Sequence, residues 1–205
     1  MFKEKTVKAF LDQAASNEPT PGGGSIAALN GAIAYSLTEM VANLSIGKEK
    51  YAAFENEFKE LVDKTITLRN DLMDDIDKDA SSFDEVMKAF KLPKSTDDEK
   101  KARSKKIQEG YKYAASVPLS VATKIVESMD LIELAVKHGN KNAVTDGLVA
   151  MMNARTGVLS ALLNVKINLG SIKDANFVAE YKEKIASLEK EAISRETVLL
   201  NSIKF

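Results

Sequence analysis

The chain has 205 residues and no cysteine, no tryptophan, one histidine (His138) and four prolines. Without cysteine it can form no disulfide and no thiolate metal site, and it has no Cys nucleophile. That composition fits a reducing compartment, and a cytoplasmic location is the expectation. One histidine excludes a His-based zinc cluster and leaves no convincing Ser-His-Asp set. Positive charge is not in excess: 29 Lys and Arg face 30 Asp and Glu, for a formal net charge of −1. A protein that tracks phosphates along a nucleic acid needs a basic surplus, so no nucleic-acid partner is expected. The start, Met1-Phe2-Lys3-Glu4-Lys5, lacks the apolar run of a signal peptide. Residues 26–46 are apolar enough to suggest a membrane span. However, Asn30, Glu39 and Asn43 fall on different sides of that stretch, which points to a buried helix and no membrane partner.

Strand patterning is also missing, since no segment alternates apolar and polar residues. What remains reads as helix almost throughout. A first helix is expected over residues 2–15 and a second from Ser25 to about Ile46, stopped by Gly47. A very long one follows from about Tyr51 to Phe90. Its stripe is Phe54, Phe58, Leu61, Thr65, Leu68, Leu72, Ile76, Ala80, Phe83, Met87 and Phe90, at steps of three and four. Thr96 to Glu99 has the form of a capping box opening a basic helix to about Ala115. Pro118 is expected to open the next helix, which ends near His138. Two more cover roughly 142–169 and 174–203, separated at Gly170. No repeat, low-complexity stretch or linker interrupts this. The reading is therefore an all-α bundle of about seven helices, one very long, forming a single domain over residues 1–205.

Two helices carry small residues at helical spacing: Ala27, Gly31, Ala34 and Thr38 in one, and Ala143, Gly147, Ala150, Ala154, Gly157 and Ala161 in the other. Such seams let helix backbones approach closely. Polar side chains share the second helix: Asp146, Asn153 and Ser160 at intervals of seven, then Asn164 and Asn168. A carboxylate among packed small residues is costly unless paired or used, and burial raises its pKa toward acid–base service. In the long helix, Asp79 lies close to the apolar stripe, whereas Asp77 points roughly opposite to it, because residues two apart differ by about 200° around a helix. Asp79 and Asp146 are the first candidates for a catalytic acid or base, with Asp77 behind them. No metal is expected, since the EF-hand loop pattern is absent.

The densest local signal is Pro19-Thr20-Pro21-Gly22-Gly23-Gly24-Ser25. The prolines restrict the approach, the glycines allow a ligand near the backbone, and Ser25 is a natural N-cap. Free N–H groups at a helix start suit an anionic or electron-rich group. Pro21, Gly22, Gly23, Gly24 and Ser25 are thus candidate substrate-binding residues. Lys48, at the end of the second helix, offers a cation, although Gly47-Lys48-Glu49 is not a phosphate-binding Walker motif.

Taken together, the glycine turn, Ala27-Ala28, Gly31-Ala32, residues 40–45 and Gly47-Lys48 resemble the cyclodeaminase/cyclohydrolase family of folate enzymes, which includes the C-terminal domain of formiminotransferase-cyclodeaminase. Ile76-Asp77-Lys78-Asp79, Leu92-Pro93-Lys94, Val117-Pro118-Leu119, residues 139–143, Asp146 and residues 164–169 continue the resemblance, in the family's order. Departures are conservative: Ser45 and Thr145 exchange one hydroxyl for another, and Lys166 stands where arginine is common. The resemblance implies an all-helical homodimer acting on a one-carbon tetrahydrofolate, with no cofactor beyond the folate that carries the carbon. The implied reaction is 5-formiminotetrahydrofolate cyclodeamination to 5,10-methenyltetrahydrofolate and ammonia. The alternative is hydrolysis of 5,10-methenyltetrahydrofolate to 10-formyltetrahydrofolate. A non-catalytic helical scaffold is a further reading. In the enzyme readings, Asp79, Asp146 or Asp77 moves the proton and a second acid holds the pterin. Asn164 and Asn168 orient the ring, and the glycine turn with Lys48 holds the glutamate tail.

Overall fold

Helix-start signals act where their chemistry predicts. Thr6 accepts a hydrogen bond from the Ala9 N–H and Asp174 from the Phe177 N–H. Thr96 and Glu99 bond to each other's backbone N–H in a complete capping box. A computed structural model describes residues 1–204 and contains seven α-helices. They are α1 (Val7–Ala14), α2 (Gly23–Asn43), α3 (Glu55–Phe90), α4 (Asp97–Glu127), α5 (Met129–His138), α6 (Val144–Leu169) and α7 (Ala175–Ser202). Short 3₁₀ turns cover Phe2–Glu4, Glu49–Phe54 and Lys141–Ala143. The 36 residues of α3 span about 54 Å at 1.5 Å per residue. Helix α2 ends at Asn43, with Leu44 at its C-cap position, a few residues before the expected stop, and the turn that follows closes at Gly47, whose φ of 73° is a left-handed conformation that favours glycine.

At the centre of the bundle, α2 packs along α6 on one side and α3 on the other, with α4 closing the group. The small residues make this possible. A Cβ on Gly157 would lie 3.1 Å from the Ala27 carbonyl oxygen and 3.2 Å from the Gly31 nitrogen. One on Gly31 would meet Ile125 Cδ1 at 2.8 Å and Leu72 Cδ1 at 3.0 Å. Gly23 lies against Asn164, so α2 and α6 run antiparallel. The buried Tyr35 hydroxyl donates to the Ile125 carbonyl oxygen at 2.9 Å.

Three expectations change. Helix α2 begins at Gly23, with Gly22 at its cap position, so Ser25 is not an N-cap but a buried residue of the first turn. Pro118 does not open a helix: α4 runs through it, and the break falls at Ser128. The carbonyl that proline leaves without a helical donor, that of Ala114, accepts instead from Asn168 Nδ2 at 3.1 Å. Finally, the α3 stripe turns outward at its C-terminal end. Val86 and Ala89 are buried there, whereas Phe83, Met87 and Phe90 are exposed. The cause is a close crossing in which Gly110 of α4 lies against the Val86 backbone, its Cβ position 3.3 Å from Val86 Cα.

Filling the central crossing should therefore be costly. Gly157→Val is expected to lower unfolding stability by about 1–3 kcal/mol, the range for overpacking a dense core. Urea unfolding followed by circular dichroism measures it, and an unchanged midpoint would refute the close-packing account.

Candidate active site

Three helices meet at the glycine turn. The approach is tight: a Cβ on Gly24 would stand 2.0 Å from Asp79 Oδ1, so only glycine fits beside that carboxyl without displacing it. Pro21 behind the turn is buried, and the Thr20–Pro21 peptide bond is cis. Because Gly22 has no capping side chain, the start of α2 is met from another helix. Asp79 of α3 receives the Ser25 hydroxyl at 3.1 Å and the Ser25 backbone N–H. A cleft of about 410 Å³ opens here, a size suited to a small organic ligand. Its walls include Gly22, Gly23 and Gly24, the Asp79 carboxyl, the aromatic rings of Phe83 and Tyr111, and Asn164 and Asn168 of α6.

Burial pushes the Asp79 carboxyl above its ordinary value, and the two Ser25 bonds only partly oppose this. The Ser25 hydroxyl also reaches the Ile76 carbonyl oxygen at 3.0 Å. One hydroxyl has one proton, so it cannot serve both oxygens fully. A protonated Asp79 removes the conflict by donating to Ser25 Oγ, while Ser25 donates to Ile76. The site is thus built to hold a carboxylic acid that can give up and regain a proton.

The two asparagines are anchored by their amide nitrogens. Asn164 Nδ2 donates to the Ser160 carbonyl oxygen at 2.9 Å, and Asn168 Nδ2 to the carbonyl oxygens of Ala114 at 3.1 Å and Asn164 at 2.9 Å. Asn168 therefore offers the cleft an acceptor. The cleft combines backbone donors, side-chain acceptors, a buried acid and aromatic walls. That set suits a planar heterocycle carrying N–H groups.

Three other candidates lie elsewhere in the chain. Asp77 accepts the Phe2 N–H at 2.6 Å and the Lys3 N–H at 3.5 Å, so it ties the N-terminal turn to α3. Asp146 sits in the first turn of α6, eighteen residues from Asn164 and about 27 Å away along the helix. Lys48 is exposed just past the opposite end of α2, about 30 Å from the glycine turn. There Gly47 donates to Glu55 at 2.9 Å and the Asn140 N–H donates to Ser45 Oγ at 2.8 Å. Phe83 and Tyr111 are not among the sequence candidates, because Phe83 belongs to the apolar stripe of the long helix and Tyr111 carries no local signal within the basic helix. Among the described residues, no group of three His, Cys, Asp or Glu is placed to hold a metal ion.

Comparison with known proteins gives consistent matches. The family model described as formiminotransferase-cyclodeaminase matches residues 6–187. A methenyltetrahydrofolate cyclohydrolase of Methylorubrum extorquens is 43% identical over 94% of this chain and 92% of that protein. The pig formimidoyltransferase-cyclodeaminase is 30% identical over 98% of this chain but only 37% of its own length, so the chain corresponds to little more than a third of that protein. The crystal structure of formiminotetrahydrofolate cyclodeaminase from Thermotoga maritima superposes with a TM-score of 0.86 at 32% identity, covering 97% of this chain and 96% of that one.

Asp79→Asn separates chemistry from stability. A carboxyl whose folded-state pKa is raised stabilises the fold fully below its ordinary value of 3.8 and loses that contribution as pH rises through the raised value. Asparagine does not titrate. The variant should therefore gain stability relative to wild type between about pH 4 and neutrality, while turnover falls about 10²–10⁴-fold. Paired urea titrations at the two pH values check this, and a variant that loses stability at neutral pH would contradict it.

Proposed function

The chain belongs to the formiminotransferase-cyclodeaminase family, and from that premise we propose that it is a folate one-carbon enzyme that cyclises 5-formiminotetrahydrofolate to 5,10-methenyltetrahydrofolate with release of ammonia. The observation that carries this reading is Asp79: a buried acid of raised pKa beside a glycine turn, in a cleft with acceptor amides and aromatic walls. As N10 of the folate adds to the formimino carbon, its proton passes to the Asp79 carboxylate and on to the departing nitrogen. That nitrogen needs two protons in all, and the second comes from solution through the same carboxyl. The C–N bond then breaks, ammonia leaves, and the methenyl cation remains between N5 and N10. Both transfers are general acid–base steps within the reach of one carboxyl. The carbonyl oxygens of Asn164 and Asn168 accept from the pterin ring N–H and amino groups, and Phe83 and Tyr111 flank the ring. A second reading, hydrolysis of 5,10-methenyltetrahydrofolate, is favoured by the 43% identity to a cyclohydrolase covered over 92% of its length. There Asp79 takes a proton from water attacking the same carbon.

We also propose that the working unit is a homodimer. Cleft and outlying candidates sit at opposite ends of the antiparallel α2–α6 pair, whose outer face bears exposed Ile33, Val149, Met152, Leu163 and Ile167. A second copy related by a two-fold axis across this face sets the cleft of one subunit against Asp146 and Lys48 of the partner subunit. Asp146 then serves as the second acid and Lys48 meets the glutamate carboxylates.

Absorbance of the methenyl chromophore tests the activity. It should rise with the formimino substrate; accelerated loss from the methenyl substrate instead supports hydrolysis, and neither response rejects an enzyme of this class. The shared site is tested by mixing. Asp79→Asn and Asp146→Asn are each expected to be inactive, yet unfolded and refolded together they should recover about a quarter of wild-type activity, since half the dimers then carry one intact site. No recovery from a refolded mixture removes Asp146 from the site.

A further inference from the structure

Helix α4 carries a proline in its interior without breaking. Pro118 has no N–H, so the carbonyl of Ala114, four residues earlier, lacks its helical donor. Ala114 is 5% exposed, which leaves little room for water to replace that donor. The replacement is the Asn168 amide, 3.1 Å away, in a side chain that lines the cleft together with Ala114. The second amide proton of Asn168 goes to the Asn164 carbonyl oxygen at 2.9 Å. Both donors are engaged, and the amide oxygen is the group left for a ligand.

We propose that Pro118 is a positioning residue that determines specificity: by withholding a backbone N–H from Ala114, it holds the Asn168 amide with its oxygen toward the cleft, so this subsite takes a hydrogen-bond donor and rejects an acceptor. A primary amide can turn by 180° and offer its NH₂ instead. Here the turn would set the amide oxygen against two carbonyl oxygens and leave that of Ala114, which has no helical donor, unpaired, so it is disfavoured. With any other residue at 118, a helical N–H would take the Ala114 carbonyl, and Asn164 alone would restrain the amide. The nature of the donor, a ring N–H or amino group of a reduced pterin, rests on the folate reading above. The orientation of the amide does not.

Two measurements test this. In wild type, NMR should show the Asn168 side-chain amide protons protected from hydrogen exchange at least about tenfold over a free amide, as expected for engaged donors. In Pro118→Ala, with helicity retained by circular dichroism, that protection should drop. The same variant should raise KM for the turned-over folate about tenfold, the equivalent of one well-placed hydrogen bond, with kcat within about twofold. In an Asn168→Ala background, Pro118→Ala should have no further effect on KM, because the proline acts only through that amide. Unprotected Asn168 protons in wild type, an unchanged KM in Pro118→Ala, or effects that multiply in the double variant would each overturn the assignment. The exchange measurement needs no substrate, so it decides the orientation even if neither folate is turned over.

Discussion

The close antiparallel contact of α2 and α6 is the constraint from which the rest of the structure follows. At Gly31 and Gly157 an added carbon atom would come within 2.8 to 3.2 Å of neighbouring backbone and side-chain atoms, closer than packed atoms ordinarily stand. Dispersion and burial reward such an approach only when the surfaces interlock without voids, so the register of the two helices is tightly specified. That register brings Gly23 to Asn164 at one end and places Asp146 and Lys48 at the other. The cleft is thus held by four long helices, α2, α3, α4 and α6, which suits a site that must fix reacting groups closely.

The chemistry depends on a competition at the start of α2. A helix N-terminus favours a negative charge, and two bonds from Ser25 also favour the ionised carboxyl. Burial opposes both and prevails in the direction of the shift. Glycine at positions 22 to 24 lies behind both sides of this competition. It removes the side chain that would cap the helix, and it lets Asp79 approach closely enough to take over that role while being desolvated. An acid held this way is suited to passing a proton between two nitrogens on one carbon.

Polar groups around the cleft are mutually dependent. Asn168 supports a carbonyl orphaned by proline, Asn164 supports Asn168, and Asn164 also stands against Gly23. The aromatic walls arise because α3 and α4 cross so closely at Gly110 that Phe83 is turned out of the core. Elements that look like packing defects, an interior proline and an exposed phenylalanine, line the cleft or support it.

Much of the fold was legible from local pattern. The capping box at Thr96 and Glu99, the long α3 and the small-residue seams depend on contacts within a few residues or on helical period, and these persist in any context. Periodicity also put Asp79 and Asp77 on different sides of α3. Other features needed contacts between residues far apart in the chain. Whether Pro118 breaks a helix depends on a donor fifty residues away, at Asn168. Whether Ser25 caps α2 depends on Asp79 of another helix. Where the α3 stripe leaves the core depends on Gly110 of α4. Local sequence thus determined which segments are helical and which faces are apolar, because propensity and period act over one or two turns. Only the tertiary structure decided which acid meets the glycine turn, because that is set by the register of helices packed against one another.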